Sequence, residues 1–129
     1  MFLEETLDGD RKMKMVIAGG RDFSNYELLK AEAIKMLKGL KPSEITIISG
    51  TAKGADMLGE QFAKEYSIKI LQFPANWDEY GKRAGYLRNT QMAENADALL
   101  AFWDGKSRGT GHMITIAKEK KLQTTIITY

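Results

Sequence analysis

The sequence predicts a single three-layer α/β domain, in which helices cover both faces of a parallel sheet. Short apolar runs alternate along the chain with longer segments whose apolar residues recur at helical spacing. Such alternation forms parallel strands joined by right-handed crossovers. The chain has 129 residues, 43% of them hydrophobic, which is enough for one domain with a substantial core. We therefore predict one domain over residues 13–129, with five parallel strands in the order 3-2-1-4-5.

The first strand is predicted at Met13–Ala18, a mostly apolar run that stops at a pair of glycines. Residues 1–12, which are mixed and acidic, are predicted to form an N-terminal arm outside the core. Ser24 and Glu27 have the spacing of a capping box, and apolar residues follow them at helical intervals as far as Leu40. These signals predict the first helix.

The middle of the chain repeats this alternation and then departs from it. A β-branched run predicts a second strand at Glu44–Ile48, and a one-sided apolar stripe predicts a helix over Ala55–Tyr66. A third strand is predicted at Ile68–Phe73. The segment Pro74–Gly85 shows no periodicity and is rich in aromatic and charged residues, which is typical of a functional or mobile loop.

The last third of the chain completes the predicted sheet. It contains a helix from about Gly85 to Asn95, a strand at Ala98–Trp103, a helix over about Gly109–Lys120 and a strand at Gln123–Thr128. In the predicted order, the topological switch point lies between strands one and four, and ligands of open α/β sheets bind at such a point. We therefore expect the turns after Ala18 and Trp103 to face each other across a crevice.

The composition argues against several classes of protein, namely disulfide-rich, thiolate-zinc, secreted, membrane-spanning and duplex-DNA-binding proteins. The chain has no cysteine, which excludes a disulfide framework and a thiolate zinc site and fits a reducing cytoplasm. Its first residues lack a secretory signal pattern, and no segment approaches the length of a membrane span. The net charge of +2 is too small to indicate a dedicated duplex-DNA binder. We expect a soluble, cytoplasmic protein without a membrane partner.

The turns that follow the strands are rich in Gly, Ser, Thr and basic residues, whereas the turns at the opposite end are plain connectors. Glycine turns at helix starts leave backbone N–H groups free, and these groups bind phosphate together with the helix dipole. The sequence therefore predicts a phosphate-bearing ligand at this edge. The candidate ligand-binding residues are Gly19, Gly20, Arg21, Asp22, Ser49, Gly50, Thr51, Lys53, Gly54, Asp56, Trp77, Tyr80, Arg88, Asn89, Asp104, Gly105, Ser107, Arg108, Gly109 and Thr110.

Two nucleotide-binding motifs are excluded. Gly105-Lys106-Ser107 resembles the end of a Walker A loop, but the glycine required five positions earlier is Leu100. Gly109-Thr110-Gly111 begins like a dinucleotide fingerprint, but its third glycine position is Ile114.

Other polar and aromatic residues at the same edge allow further interpretations. Four aspartates could hold Mg²⁺ through substrate phosphates, although acidic residues at helix starts also act as caps. They are Asp22, Asp56, Asp78 and Asp104. His112 has no carboxylate at an obvious spacing, and we interpret it as a contact or surface residue rather than a catalytic base. Trp77 and Tyr80 are the better candidates for stacking on a base, since Trp103 can equally belong to the core.

Six motifs resemble the SLOG superfamily in their order and spacing. They are Gly19–Phe23, Ser49–Asp56, Pro74–Gly85, Arg88–Met92, Ala96–Ala98 and Trp103–Thr110. The superfamily includes the DNA-processing protein DprA and the LOG phosphoribohydrolases, and the chain looks most like its small stand-alone branch related to YspA and YpsA. The resemblance implies a Rossmann-like fold that binds nucleotides or nucleotide-derived ligands, and a homo-oligomer.

The LOG enzymes pair an arginine with a glutamate to cleave a base from its ribose 5'-phosphate. Arg88 matches that arginine and Gly109-Thr110 match part of the glutamate's motif, but Met113 occupies the glutamate position. The resemblance therefore implies that the chain binds a phosphate and a ribose but lacks the catalytic glutamate of the LOG enzymes. If the chain is an enzyme, Arg88, Asp22 and Asp104 are its candidate catalytic residues.

We predict a sensor or sequestering module that binds a small nucleotide-derived ligand, of the ADP-ribose or nucleoside monophosphate type. A nucleotide N-glycosidase or phosphohydrolase is one alternative. Single-stranded DNA binding is another, by analogy with DprA and from the aromatic and basic loop around Trp77. Mg²⁺ is the one cofactor that the sequence suggests.

Overall fold

A computed structural model describes residues 12–129, so residues 1–11 of the predicted N-terminal arm lie outside the described part of the chain. The strands are β1 (Met13–Gly19), β2 (Ile45–Ser49), β3 (Lys69–Gln72), β4 (Ala98–Trp103) and β5 (Gln123–Thr128). The helices are α1 (Tyr26–Met36), α2 (Ala55–Glu65), α3 (Trp77–Tyr80), α4 (Ala84–Glu94) and α5 (Arg108–Glu119). Two short 3-10 turns span Pro42–Glu44 and Gly81–Arg83.

The five strands form one parallel sheet in the order β3-β2-β1-β4-β5, which confirms the predicted topology. In the centre of the sheet, Val16 of β1 is in register with Ile48 of β2 and with Leu99 of β4. Both faces of β1 and β4 are buried, as expected of parallel strands covered by helices on each side. The carboxyl ends of β1 and β4 therefore meet at the predicted switch point.

Alternate residues of β1 pack into two separate cores. Met15 and Ile17 pack with α1 and α2, where Leu29 and Phe62 are fully buried. Val16 lies on the other face, in the core that α4 and α5 supply. This alternation follows from the two-residue period of a strand, and it holds the four long helices in two layers.

Several predicted element details were wrong. Asn25, not Ser24, is the N-cap of α1, because its side chain accepts a hydrogen bond from the Leu28 N–H. Glu44 belongs to a 3-10 turn rather than to β2, where its carboxylate accepts a bond from the Lys41 N–H. The segment Pro74–Gly85, predicted as an irregular loop, contains α3 and the second 3-10 turn. Asn76 caps α3 by accepting from the Glu79 N–H, a local interaction that apolar periodicity does not report.

None of the helices within residues 12–129 is both long and apolar enough to cross a membrane.

Candidate functional site

A cleft of about 520 Å³ opens at the carboxyl ends of β1 and β4, where the switch point was predicted. The turn after β1 forms one wall and the turn before α5 the other, while α4 closes a side. We call this cavity the main cleft. Twelve of the predicted residues line it: Gly19, Gly20, Arg21, Asp22, Asp56, Trp77, Arg88, Asn89, Asp104, Ser107, Gly109 and Thr110.

The β1 wall depends on a close approach of three backbone segments. The Gly20 N–H donates to the carbonyl oxygen of Phe102, and the Gly20 carbonyl accepts from the Ala55 N–H. A Cβ atom on Gly19 would lie 2.4 Å from the Phe102 carbonyl oxygen. Gly54 has φ of +79°, and its own Cβ would lie 2.3 Å from the Gly20 carbonyl oxygen. These two glycines therefore act through packing, which lets β1, β4 and α2 meet beneath the cleft.

Arg88 extends from α4 to the turn after β2. One of its terminal nitrogens donates to the Gly50 carbonyl oxygen, and its Nε donates to the Asn89 side-chain oxygen at 3.0 Å. Partial burial lowers the pKa of the guanidinium, an effect that Asp56 opposes. An arginine side chain nevertheless remains protonated in proteins. Arg88 thus holds a fixed positive charge at the side of the main cleft.

Asp56 is a buried carboxylate in the first turn of α2, and only 5% of it is exposed. Its Oδ2 accepts the Ala52 N–H at 3.2 Å. Burial raises the pKa of Asp56 from 3.8 to about 6, although the Ala52 bond and the charges of Arg88 and Arg21 act in the opposite direction. The main cleft therefore contains a carboxyl group whose pKa lies well above the ordinary value of an aspartate.

The α5 wall presents backbone N–H groups together with the Asp104 carboxylate. Asp104 accepts the N–H groups of Lys106 and Ser107, both at 2.8 Å, and these bonds lower the pKa of its carboxyl. Ser107 is the N-cap residue of α5, but its hydroxyl donates to the Thr110 hydroxyl at 3.3 Å instead of capping the backbone. No side chain caps this helix among the described residues, so its first-turn N–H groups are available to an anion.

Asn89 joins α4 to α5. Its side-chain amide donates to the Gly109 carbonyl oxygen at 3.1 Å and lies 3.2 Å from Nδ1 of His112. The His112 ring contacts Tyr86 edge to face at 4.4 Å between centroids. Partial burial lowers the pKa of His112, which favours the neutral imidazole that this amide donor requires. These contacts agree with the interpretation of His112 as a contact residue.

The Asp22 carboxylate accepts a hydrogen bond at Oδ1 from the hydroxyl of Tyr129, which follows β5. Burial and the nearby carboxylate raise the pKa of Tyr129 to about 12. The Tyr129 ring also contacts the edge of Phe23, with centroids 5.0 Å apart. Asp22 and Asp104, the carboxylates considered for catalysis, thus each accept hydrogen bonds within the protein.

A second cavity of about 260 Å³ adjoins the main cleft. The two cavities share Arg21, Ala52, Trp77 and Arg88. Gly50 and Thr51, two further predicted residues, line the second cavity together with Pro74 and Ala75.

Six predicted residues line neither cavity: Ser49, Lys53, Gly54, Tyr80, Gly105 and Arg108. Ser49 is fully buried, and its hydroxyl donates to Glu60 at 2.7 Å, so it connects β2 to α2. Gly54 packs against the β1 turn, as described above. Lys53, Tyr80, Gly105 and Arg108 are exposed.

Several lining residues were absent from the predicted set: Ala18, Ala52, Lys82, Gly85, Tyr86, Met92 and Met113. Lys82 and Tyr86 belong to the aromatic and basic stretch that was singled out, and this composition was the available signal. Met92 and Met113 are buried apolar residues. Met113 had been singled out as the residue at the position of the LOG glutamate, whereas nothing in the local sequence distinguishes Met92 from the rest of the core.

Three of the four aspartates considered for Mg²⁺ line the main cleft, namely Asp22, Asp56 and Asp104, whereas Asp78 lies exposed on α3. Within residues 12–129, no three acidic or histidine side chains are grouped so that they could hold a metal ion.

Comparison with known proteins places the chain in a family. A family model described as the YspA, cpYpsA-related SLOG family matches residues 13–80, more than half of the chain. The chain belongs to this family. The match runs from β1 to α3 and so includes the turns after the first three strands, with Gly19, Gly54 and Asp56. The predicted superfamily and branch are therefore confirmed.

One similar sequence and two similar structures give the SLOG assignment further context. The gene 61 protein of Mycobacterium phage D29 is 33% identical over 84 residues, which is 60% of this chain and 67% of the phage protein. DprA from Streptococcus pneumoniae has a TM-score of 0.68 at 19% identity, covering 98% of this chain and 54% of DprA. DprA from Helicobacter pylori, described by its single-stranded DNA binding mode, has a TM-score of 0.63 at 19% identity, with coverages of 91% and 66%. This SLOG chain thus spans about half to two thirds of the DprA chains and shares their fold.

Proposed function

We propose that the main cleft binds a nucleotide or a nucleotide-derived ligand, of the ADP-ribose or nucleoside monophosphate type, and that the protein acts as a sensor or sequestering module. The observation that carries this proposal is the position of Arg88. Its guanidinium lines the same cleft as the uncapped N-terminus of α5, so a fixed cation and free backbone donors serve one cavity.

A phosphate fits the α5 wall. The first-turn N–H groups of α5 lack a side-chain cap, and the Asp104 carboxylate already accepts two backbone N–H groups of its own turn. The helix dipole adds a partial positive charge at the same place. Arg21 and Lys82 line the cleft as well and bring further positive charge. A phosphate group satisfies these donors better than a neutral ligand does.

A base fits the part of the cleft that α3 and α4 form. Trp77 is 50% exposed and Tyr86 is 43% exposed, and both residues line the main cleft. Gly85 lies between Trp77 and Arg88, since a Cβ there would be 3.3 Å from the Trp77 ring and 3.9 Å from Nη2 of Arg88. Planar side chains beside an arginine are suited to stacking on a base.

Isothermal titration calorimetry with AMP, ADP and ADP-ribose tests the proposal. Saturable binding with one site per chain is expected for at least one of these nucleotides. Competition by inorganic phosphate should weaken that binding, because the phosphate group supplies much of the recognition. No heat of binding at millimolar concentrations of any of the three would contradict the proposal.

Single-stranded DNA is a second candidate ligand, which one surface feature favours. Trp77, Tyr80 and Tyr86 are each at least 40% exposed, and Lys82 and Arg83 lie between them in the chain. Aromatic side chains interleaved with cations bind unpaired bases and backbone phosphates. Fluorescence anisotropy with a labelled oligonucleotide at rising salt would distinguish this candidate, because its affinity should fall steeply with salt concentration.

A further inference from the structure

Asp56 is a buried carboxylate of the main cleft that the proposed phosphate site does not explain. It is 5% exposed and lines the cleft, and its one hydrogen bond, to Oδ2, comes from the Ala52 N–H at 3.2 Å. Within residues 12–129, no cation forms an ion pair with it at 4.0 Å or less. An ionised carboxylate can accept about four hydrogen bonds, so Asp56 has acceptor capacity left for further donors that enter the cleft.

The charged groups around Asp56 do not supply these donors. Arg88 faces it from α4, Arg21 from the turn after β1, and Glu60 from α2 itself. Arg88 and Asp56 flank Gly50, where a Cβ atom would lie 2.6 Å from Nη1 of the arginine and 2.8 Å from Oδ2 of the aspartate. The arginine donates to the Gly50 carbonyl oxygen and to Asn89 instead. The two opposite charges are therefore neighbours without being paired.

The chemistry of a carboxylate restricts which part of a ligand can contact it. An ionised carboxylate only accepts hydrogen bonds, and it repels a phosphate. The phosphate of a nucleotide fits the α5 wall, and its base fits the exposed faces of Trp77 and Tyr86. The sugar is then the part of the nucleotide that faces Asp56 on α2, and its hydroxyl groups are uncharged donors.

We propose that Asp56 makes the main cleft specific for a ribose, because its carboxylate accepts a hydrogen bond from a sugar hydroxyl group that a deoxyribose lacks. This inference rests on the proposed binding of nucleotides. It gives Asp56 a role in choosing the ligand, whereas Arg88 and the α5 N-terminus hold the phosphate. The ligand class narrows accordingly to ribonucleotides and their derivatives.

Calorimetric titration of the full chain with AMP, 2'-deoxy-AMP and 3'-deoxy-AMP tests the inference. We expect at least one deoxynucleotide to bind about 10- to 100-fold more weakly than AMP, because it lacks the hydroxyl group that would donate to this charged acceptor. The preference should strengthen as the pH rises through about 6, where Asp56 ionises. AMP and its deoxy analogues carry the same phosphate. The ratio of their affinities therefore measures the contribution of the sugar hydroxyl group and not that of the phosphate.

The variant Asp56→Ala, which has no side-chain acceptor, should lose most of this preference, whereas Asp56→Asn, which keeps an uncharged acceptor, should lose its pH dependence. Asp97→Asn is the matched control: Asp97 accepts the Lys14 N–H at 2.9 Å next to the amino end of β4, away from the cleft, and an asparagine keeps an acceptor there. The variant Asp97→Asn should retain the preference of the wild type.

Equal affinities of the wild type for AMP and both deoxynucleotides would overturn the inference and leave the proposed function standing. A preference that persists in Asp56→Ala would also overturn it, and would show that another residue contacts the hydroxyl group. If AMP does not bind, the proposed function fails and the inference with it.

Discussion

The Arg88 guanidinium donates a hydrogen bond to the carbonyl oxygen of Gly50, and this contact links α4 to the turn after β2. The two residues are 38 positions apart in the chain. The bond fixes the arginine where the main cleft meets the second cavity, since Arg88 lines both. A cation held in this way needs little reorganisation when an anion arrives, which favours binding.

Replacing Arg88 should therefore weaken nucleotide binding. We expect Arg88→Ala to lower the affinity at least tenfold, and Arg88→Lys to recover only part of the loss, because lysine keeps the charge but not the planar fork of donors. Calorimetry measures both effects. Lys118→Ala, in the last turn of α5, removes an exposed charge remote from the cleft and should leave the affinity unchanged. Equal affinities of the wild type and Arg88→Ala would show that the arginine does not contact the ligand.

Asp56 should make the unbound protein less stable as the pH rises. Its folded-state pKa of about 6 lies above the unfolded value of 3.8, so the folded protein binds more protons than the unfolded chain between these values. The free energy of unfolding should thus fall across this range, by up to about 3 kcal/mol from this group alone.

Asp56→Asn should abolish that contribution. We expect the variant to exceed the wild type in stability at pH 7 and to lose this advantage below about pH 4, as measured by urea denaturation at a series of pH values. A wild-type protein whose stability relative to the variant is independent of pH would contradict the raised pKa.

Gly54 and Gly105 offer a matched pair of substitutions. Both have positive φ, of +79° and +82°, but a Cβ on Gly54 would lie 2.3 Å from the Gly20 carbonyl oxygen, whereas none of the described atoms lies within 4 Å of a Cβ on Gly105. Gly105→Ala should cost about 1–2 kcal/mol for the backbone conformation alone. Gly54→Ala should cost roughly 2 kcal/mol more, or prevent folding, since the clash is with backbone. Thermal denaturation compares them, and equal losses would refute the close approach of β1 and α2.

Tyr129→Phe removes the hydroxyl that donates to Asp22 but keeps the ring that contacts Phe23. We expect a loss of about 1 kcal/mol in the free energy of unfolding, typical of one hydrogen bond. Tyr129→Ala should lose more, because the aromatic contact disappears as well. If the two variants are equally stable in urea denaturation, the contact between the Tyr129 and Phe23 rings contributes nothing to stability.

The strand order and the position of the cleft were predictable because both follow from alternation of apolar segments. The run Met13–Ala18 is buried on both faces, and such a run predicts a central parallel strand. Once the order is known, the switch point between β1 and β4 follows, and with it the turns that line the main cleft.

The details that prediction missed depend on contacts that no local pattern encodes. Ser24 and Asn25 are both good caps, and only the backbone conformation decides which of them accepts the hydrogen bond. The contact between Asp22 and Tyr129 joins residues 107 positions apart. Asp56 was predicted as a candidate ligand-binding residue, but its burial was not, because it arises only when α2 packs against the β1 turn.

The measurement that tests the central claim most directly is a titration of ¹⁵N-labelled protein with AMP and with ADP-ribose, followed by two-dimensional NMR. A nucleotide in the main cleft should shift the amide signals of residues 19–22 and 107–110 together, saturably, because these backbone segments form its two walls. Shifts confined to other surfaces, or unchanged spectra at millimolar ligand, would contradict the assignment of this cleft as a nucleotide site.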